Sequence, residues 1–476
     1  MPMDVFMLVA GFALPWALGI ALLTLLPSAP GRRDEPGALP WLAGCGWFAG
    51  AFVLTLWMRV LSRLGIPLAI GAIGAPLVAT TAALGWLAVR RAQASPRVAL
   101  RAIGRGLAGT DLEGWRRVAW FALLGWLALR FALLLAEVWW RPLFPWDAWT
   151  QWATKARVWF GLKKIVPFVT ASDWFLAKQP GLYIDAAPNY PATVPLFQVW
   201  AATLVGRWDD ALINFPWWII GVAFGLALYG FLRRYRFAPL AALAGTWLVL
   251  SLPILEVHIA LAGYADLPMA AYYTLGALAS LSALQTRNAR DAALALLLLA
   301  ACAVVKNPGI VWVLTLVPGV IVILLPRRGL RITALCFAVA TAMVLWLAYN
   351  EVSLLGYQMH LEFELPFGAL FEAYFALGNW HLLWYGVIAV ALFGWRDLLT
   401  RELAPLTVII AAGLSFLLFG FVFTNARQWV EDQSTVNRAT LHLAPLMLVW
   451  MLLVFRARSV RSAPRAAAGA EVGAPG

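Results

Sequence analysis

RVAWFALLGWLALRFALLLAEVWWRPLFPWDAW, residues 117–149, decides what kind of fold this chain takes. Its first part, 117–138, is an apolar run long enough to cross a bilayer as one helix, about 20 residues. Separated from Trp139-Trp140 by four residues stands Pro145-Trp146-Asp147-Ala148-Trp149, which sets one carboxylate at the membrane surface. An acidic side chain is costly there unless it caps a helix, meets a cation or performs chemistry. A second carboxylate in the same situation occurs in Gly263-Tyr264-Ala265-Asp266.

Similar apolar runs recur along the 476 residues, of which 63% are hydrophobic and only 12% charged. A soluble globule carries nearer ~45–50% apolar residues. The pattern predicts an all-α polytopic membrane protein with about thirteen spans by the usual length criterion, at 5–26, 40–61, 64–89, 117–138, 211–232, 237–255, 267–284, 289–305, 309–325, 332–349, 377–394, 404–423 and 438–455. The first run lacks a basic leader and a small-residue cleavage pattern and reads as a retained helix. The net charge of +13 does not point to nucleic acid, because the arginines sit in short clusters between apolar runs, where they orient membrane insertion. Cys45, Cys302 and Cys336 all lie in apolar runs without metal-like spacing and read as small buried side chains.

Arginine placement predicts the orientation. Arg32/Arg33, the 90–117 loop, Arg233-Arg234-Tyr235-Arg236, Arg287/Arg290, Arg327/Arg328/Arg331, Arg396/Arg401 and Arg456/Arg458/Arg461 fall on alternate sides of successive spans. Assigning them to the cytoplasm places the N-terminus outside and the C-terminal tail inside. Arg59 and Arg63, in a short outer turn, disagree with that scheme. Residues 1–89 read as a three-span N-terminal extension, 90–116 as a basic cytoplasmic linker, 117–455 as the transmembrane core and 456–476 as a disordered tail. The one long outer loop, 139–210, carries Trp149, Trp152, Ala156 and Trp159 at helical spacing, with Gln151, Lys155 and Lys163 off the stripe. That pattern predicts an amphipathic helix in the headgroup layer, and Pro191–Gly206 is a second candidate.

His258, His360, His381 and His442 all fall at or near outer span ends under this topology, as do Asp147, Asp266, Lys306, Glu431, Asp432 and Arg438. Ionisable groups gathered at one membrane face mark it as the working side, whereas a transporter places paired charges and broken helices near the midplane. Several short motifs follow in a fixed order. They are Trp146-Asp147-Ala148-Trp149 with Trp152-Ala153-Thr154-Lys155-Ala156, Asn189-Tyr190-Pro191, Gly263-Tyr264-Ala265-Asp266-Leu267-Pro268, Lys306-Asn307-Pro308-Gly309, and Asn437-Arg438. Together they resemble the GT-C integral-membrane glycosyltransferases, in particular the bacterial branch related to protein O-mannosyltransferases and the lipid A aminoarabinose transferase. The resemblance covers roughly residues 117–455 and leaves out the first three spans. It implies that Asp147 is the catalytic or metal-proximal carboxylate of the first outer loop and that Asp266 is a second acid of the same site. The protein-mannosylating members carry adjacent acids where this chain has Asp147 followed by Ala148, which favours a lipid or glycan acceptor over a protein.

Chemistry agrees with that implication. A sugar on a polyprenyl phosphate has a leaving group that departs without protonation, so an inverting displacement needs one general base and a cation for the developing phosphate charge. Lys306, before a helix-disfavouring Asn-Pro-Gly, and Arg438, one turn before His442, are placed to bind such a phosphate at headgroup depth. Tyr264, His258 and His442 stand beside them as supporting groups. A divalent cation is compatible with two acids from separate loops but not required by them. Each residue also has a structural alternative: Asp147 and Asp266 as helix caps, Lys306 and Arg438 snorkelling to headgroups, the histidines as structural or interfacial groups, Tyr264 as an interface anchor, Arg130 snorkelling or meeting a polar partner. The expectation is a glycosyltransferase of a bacterial inner membrane, working on the outer face among membrane lipids, from a polyprenyl-phosphate sugar donor to a lipid or glycan acceptor. Its rivals are an envelope-glycan polymerase or ligase, and a lipid-carrier transporter or flippase.

Overall fold

The computed structural model describes residues 2–28, 35–91, 111–177, 179–354, 357–359 and 366–462. Most of the basic linker, Arg32/Arg33, His360 and the tail beyond 462 lie outside them. In a medium without water every backbone N–H and C=O must find its partner within the segment, and these sequences answer with helices. Among the described residues strand is confined to two-residue pairs, Phe168–Val169 parallel to Tyr183–Ile184 and Ser353–Leu354 antiparallel to Tyr357–Gln358.

The chain is therefore all-α. Eight described helices are long and apolar enough to cross a membrane, or ten if Pro239–Leu250 with Pro253–Ala260 and Ser434–Leu441 with Ala444–Arg461 each count as one span. About thirteen were expected, and the shortfall has local causes. Ala289–Ala303 has only 15 residues and Leu383–Leu398 only 16. Residues 309–325 divide into Gly309–Leu314 and Val317–Leu324, where Pro318 falls in the first turn of the second piece. Pro253 likewise opens a new helix, bent 67° from Pro239–Leu250, because its ring lacks an N–H and clashes with the carbonyl four residues back.

Two compact units result, Met1–Leu314 with Arg438–Leu443, and Thr315–Asn437 with Ala444–Gly476. In the first, Pro2–Leu25, Ala38–Arg63 and Phe215–Arg234 approach at glycines: a Cβ on Gly50 would run into the Pro15 carbonyl, and one on Gly44 into the backbone of Ala223 and Ala227. Membrane helices pack closely where side chains are small. Asp266–Thr286 is buried over most of its length, and Tyr272 donates to the Phe48 carbonyl at 3.0 Å. The first three helices thus share a unit with the helices up to Leu314, and no unit boundary falls at 117. At the Thr286 end of that helix, Arg234 meets Asp291 at 2.8 Å and Ser282 donates to the same carboxylate at 2.6 Å. The other end carries Asp266.

The excursion after Trp140 differs from a pair of interfacial helices. A π-helical turn, Ala148–Trp152, leads into the α-helix Ala153–Leu162. Trp152, Ala156 and Trp159 do form a stripe, but it is buried against protein, Trp152 on Tyr190 and Trp159 on Phe168. Lys155 is not on an exposed polar face. It is 1% exposed, with Nζ 3.3 Å from Asp185 and donating to the Ala187 carbonyl at 2.6 Å. Lys155 lies three residues after Trp152 and four before Trp159, so the regular helix puts it on their buried face, while Trp149, within the π turn, falls off that face. Burial pulls the Lys155 ammonium below its ordinary range and pushes the Asp185 carboxyl above its own. Thr193–Val205 is also buried, eleven of its 13 residues. It lines the interior of the unit, and Trp200 donates to the Gly11 carbonyl at 3.1 Å.

In the second unit Val322, Ala404 and Val408 form a core cluster, Trp450 donates to Thr407 at 3.0 Å, and Asp397 accepts from Arg461. Cys336, expected to be buried, is exposed, while Cys45 and Cys302 are buried.

Candidate functional site

Asp266 opens the helix Asp266–Thr286, following Ala265 at the N-cap position, and makes no capping bond. Its side chain is 0% exposed and both oxygens are engaged. Oδ1 lies 2.6 Å from Lys306 Nζ and 2.9 Å from His442 Nε2, and Oδ2 lies 3.0 Å from Arg438 Nε. Those partners come from a loop after Ala289–Ala303 and from the stretch around Ser434–Leu441. Burial draws the Lys306 ammonium below the ordinary lysine range while Asp266 opposes the shift. Neither Lys306 nor Arg438 snorkels: their side chains are 12% and 16% exposed and point to carboxylates.

Arg438 links the two acids. Its Nη1 is 2.6 Å from Asp147 Oδ2, and its guanidinium lies 4.2 Å from the centre of the Tyr264 ring. Asp147 precedes the π-helical turn but makes no side-chain cap bond to it, and its side chain remains 24% exposed. Asp147 is therefore the more accessible carboxylate of the pair. The Tyr264 carbonyl accepts from Trp217 Nε1 at 2.8 Å, which fixes the loop before Asp266, and burial raises the Tyr264 phenol.

Gly263 and Ala148 explain how two distant segments come this close. Gly263 has φ 108°, and a Cβ on it would lie 2.6 Å from the Ala148 Cβ. Ala148 itself is 0% exposed. An acid in its place would be buried against the Gly263 turn, so the single-acid sequence Asp147-Ala148 has a packing reason.

The two histidines of this unit are buried. His258 Nδ1 bonds the Ile254 carbonyl at 2.7 Å, leaving Nε2 buried without a partner, and its ring lies 5.4 Å from that of Tyr264. His442 spends Nε2 on Asp266, its Nδ1 has no partner, and Trp312 meets its ring edge-to-face at 5.7 Å. Asp147, Tyr264, His258, Asp266, Lys306, Arg438 and His442 thus all belong to the first unit. His381 lies in the second, in left-handed backbone with φ 48°. Trp217 and Trp312, which hold Tyr264 and His442, have no mark in the sequence beyond lying in apolar runs. Arg130 pairs with Glu256, its Nε donating to Oε1 at 3.1 Å.

Among the described residues no three His, Cys, Asp or Glu side chains gather as metal ligands would. The nearest counter-charges to Asp147 and Asp266 are Arg438 and Lys306. Compared with known proteins, the chain matches no family model, and neither a curated protein nor a solved structure is significantly similar to it.

Proposed function

We propose that the protein is an integral-membrane, inverting glycosyltransferase that moves a sugar from a polyprenyl-phosphate donor to a lipid or glycan acceptor on the outer face of a bacterial inner membrane. The observation that carries the reading is Arg438 bridging a part-exposed carboxylate, Asp147, and a buried one, Asp266, that also holds Lys306 and His442. A base and cations for a phosphate thus stand within one residue's reach of each other. Asp147 takes the proton of the acceptor hydroxyl as that oxygen attacks the anomeric carbon from the face opposite the phosphate. The bond from that carbon to the phosphate oxygen breaks, and its electron pair leaves with the phosphate. Arg438 and Lys306 meet the charge that develops there. Asp266, with no exposed surface, acts through them as a positioning residue. Tyr264 supports the Arg438 guanidinium from one face.

Mass spectrometry of envelope lipids and glycans from cells with and without the protein tests this reading. One sugar increment is expected to disappear from one class of molecule, which identifies donor and acceptor together. Identical profiles from both cells under conditions of full expression would contradict it.

A further inference from the structure

Arg130 stands where a membrane span can least accommodate a charge. It lies ten residues before Trp140 in the helix Gly114–Trp140. That is about 15 Å along the axis at the rise of an α-helix, half of a hydrocarbon core about 30 Å thick. Its partner Glu256 follows a break in another span, where Pro253–Ala260 is bent 67° from Pro239–Leu250 and Leu252 takes a non-helical ψ of 120°. Backbone that leaves the helix at membrane depth is tolerated where it is buried in protein or lines a hydrated cavity. A groove of about 920 Å³ runs along both helices, and Arg130, Pro253 and Glu256 line it.

The charges of the groove are balanced. Besides Arg130 and Glu256, its charged lining consists of Glu137 and Arg141, which pair at 2.7 Å beside the exposed Trp140. Arg130 Nε donates to Glu256 Oε1 at 3.1 Å and Nη2 donates to Oε2, which leaves N–H groups of the guanidinium and lone pairs of the carboxylate unspent. The two side chains are still 34% and 18% exposed. A hydrocarbon tail laid against them would leave that charge uncompensated at membrane depth. Two arginines facing two glutamates favour neither an anion nor a cation, but a group that carries both signs. Leu133 and Val257, which line the groove between the two pairs, are apolar and exposed, so the occupant reaches it from the bilayer.

We infer that this groove seats the headgroup of an aminophospholipid, its phosphate on Arg130 and its ammonium on Glu256, with the acyl chains leaving past Leu133 and Val257. An arginine fork takes a phosphate in two parallel bonds, and a carboxylate takes an ammonium in charge-assisted ones. The volume lies within the ~300–1,000 Å³ of small-molecule sites. No residue that lines the groove belongs to the Asp147–Asp266 cluster, and the seat does not depend on the sugar-transfer reading.

The test is equilibrium binding of radiolabelled dioleoyl phosphatidylethanolamine, phosphatidylcholine and phosphatidylglycerol, each alone, to the purified full chain in an uncharged detergent. Phosphatidylcholine keeps both charges, but its ammonium has no N–H to donate. Phosphatidylglycerol keeps only the phosphate, which Lys306 and Arg438 would also take. Wild type is compared with Ala136→Trp and Ala260→Trp, which fill the groove without touching its charges, and with Ala132→Trp, at an exposed position of the same helix outside the groove. Wild type and Ala132→Trp are expected to bind phosphatidylethanolamine at least about tenfold more tightly than the other two lipids, the worth of a charge-assisted contact. Each groove-filling variant should lose that preference. Equal affinity of wild type for the three lipids overturns the inference, since the groove then holds water or any chain. A preference that survives both groove-filling variants overturns it too, because the lipid then binds elsewhere, the Lys306 and Arg438 site included. Should both variants fail to fold, Ala136→Cys is purified and modified to completion with N-phenylmaleimide after folding, with wild type treated alike for its exposed Cys336. An unchanged preference in the modified variant overturns the inference equally.

Discussion

Asp266 has no contact with solvent, yet three proton-donating side chains converge on its two oxygens. Removing one member of a buried ion cluster strands the others, at a cost of about 3–5 kcal/mol, whereas replacing members together by apolar groups is far milder. Asp266→Asn is therefore expected to lose stability of that order, and Asp266→Leu with Lys306→Met to recover part of it, as read from unfolding of the purified protein in detergent. An Asn variant as stable as wild type would show that the cluster is not formed. The sequence marks Asp266 as an unusual carboxylate, but a helix cap and an ion-pair anchor look alike in a string of letters. The distinction comes from Lys306 and Arg438, which arrive from elsewhere in the chain, and Lys155 shows the same limit. A lysine among tryptophans reads as solvated by its charge, and only Asp185, which arrives from elsewhere in the chain, reveals it as buried.

Among the elements, the contact of the π-helical turn with the Gly263 loop sets the distance between Asp147 and Asp266. Ala148 and Gly263 are matched there, a side chain without length against a residue without a Cβ. Gly263→Ala meets both the left-handed φ and the Ala148 contact and is expected to cost roughly 1–3 kcal/mol. Ala148→Asp adds a buried, unpartnered carboxylate and should abolish the monodisperse peak in size-exclusion chromatography. Wild-type behaviour of Ala148→Asp would place residue 148 at the surface and remove the packing reason for the single acid. The apolar spans were legible as helices because length and composition suffice for that. Their number was not, since Pro253 and Pro318 each begin a helix inside a run that hydropathy reads as continuous.

For the whole molecule, the decisive property is sidedness. The Asp266–Thr286 helix joins the proposed site at one end to the Arg234–Asp291 pair at the other, so the two lie at opposite ends of one helix of the first unit. Cysteines introduced at Ser172 and Gln433 are accordingly expected to react with a membrane-impermeant thiol reagent in intact cells, and one at Ser95 to be protected. Labelling at Ser95 with protection of the other two would put the site in the cytoplasm. That the ionisable residues of the site share an outer face is an expectation from counting span ends, and the labelling pattern is what tests it. The sequence grouped Asp147, Asp266, Lys306, Arg438, Tyr264, His258 and His442 as one candidate site, and the particular contacts that join them into a cluster follow from how the helices pack. Asp147 is where that cluster either does chemistry or does not. Asn keeps the shape of Asp but accepts no proton, so the most direct measurement is sugar transfer by purified Asp147→Asn protein with an unchanged unfolding temperature. Transfer is expected to fall by about 10²–10⁴, the contribution of a general base, and near-normal transfer by the folded Asn variant would contradict the account.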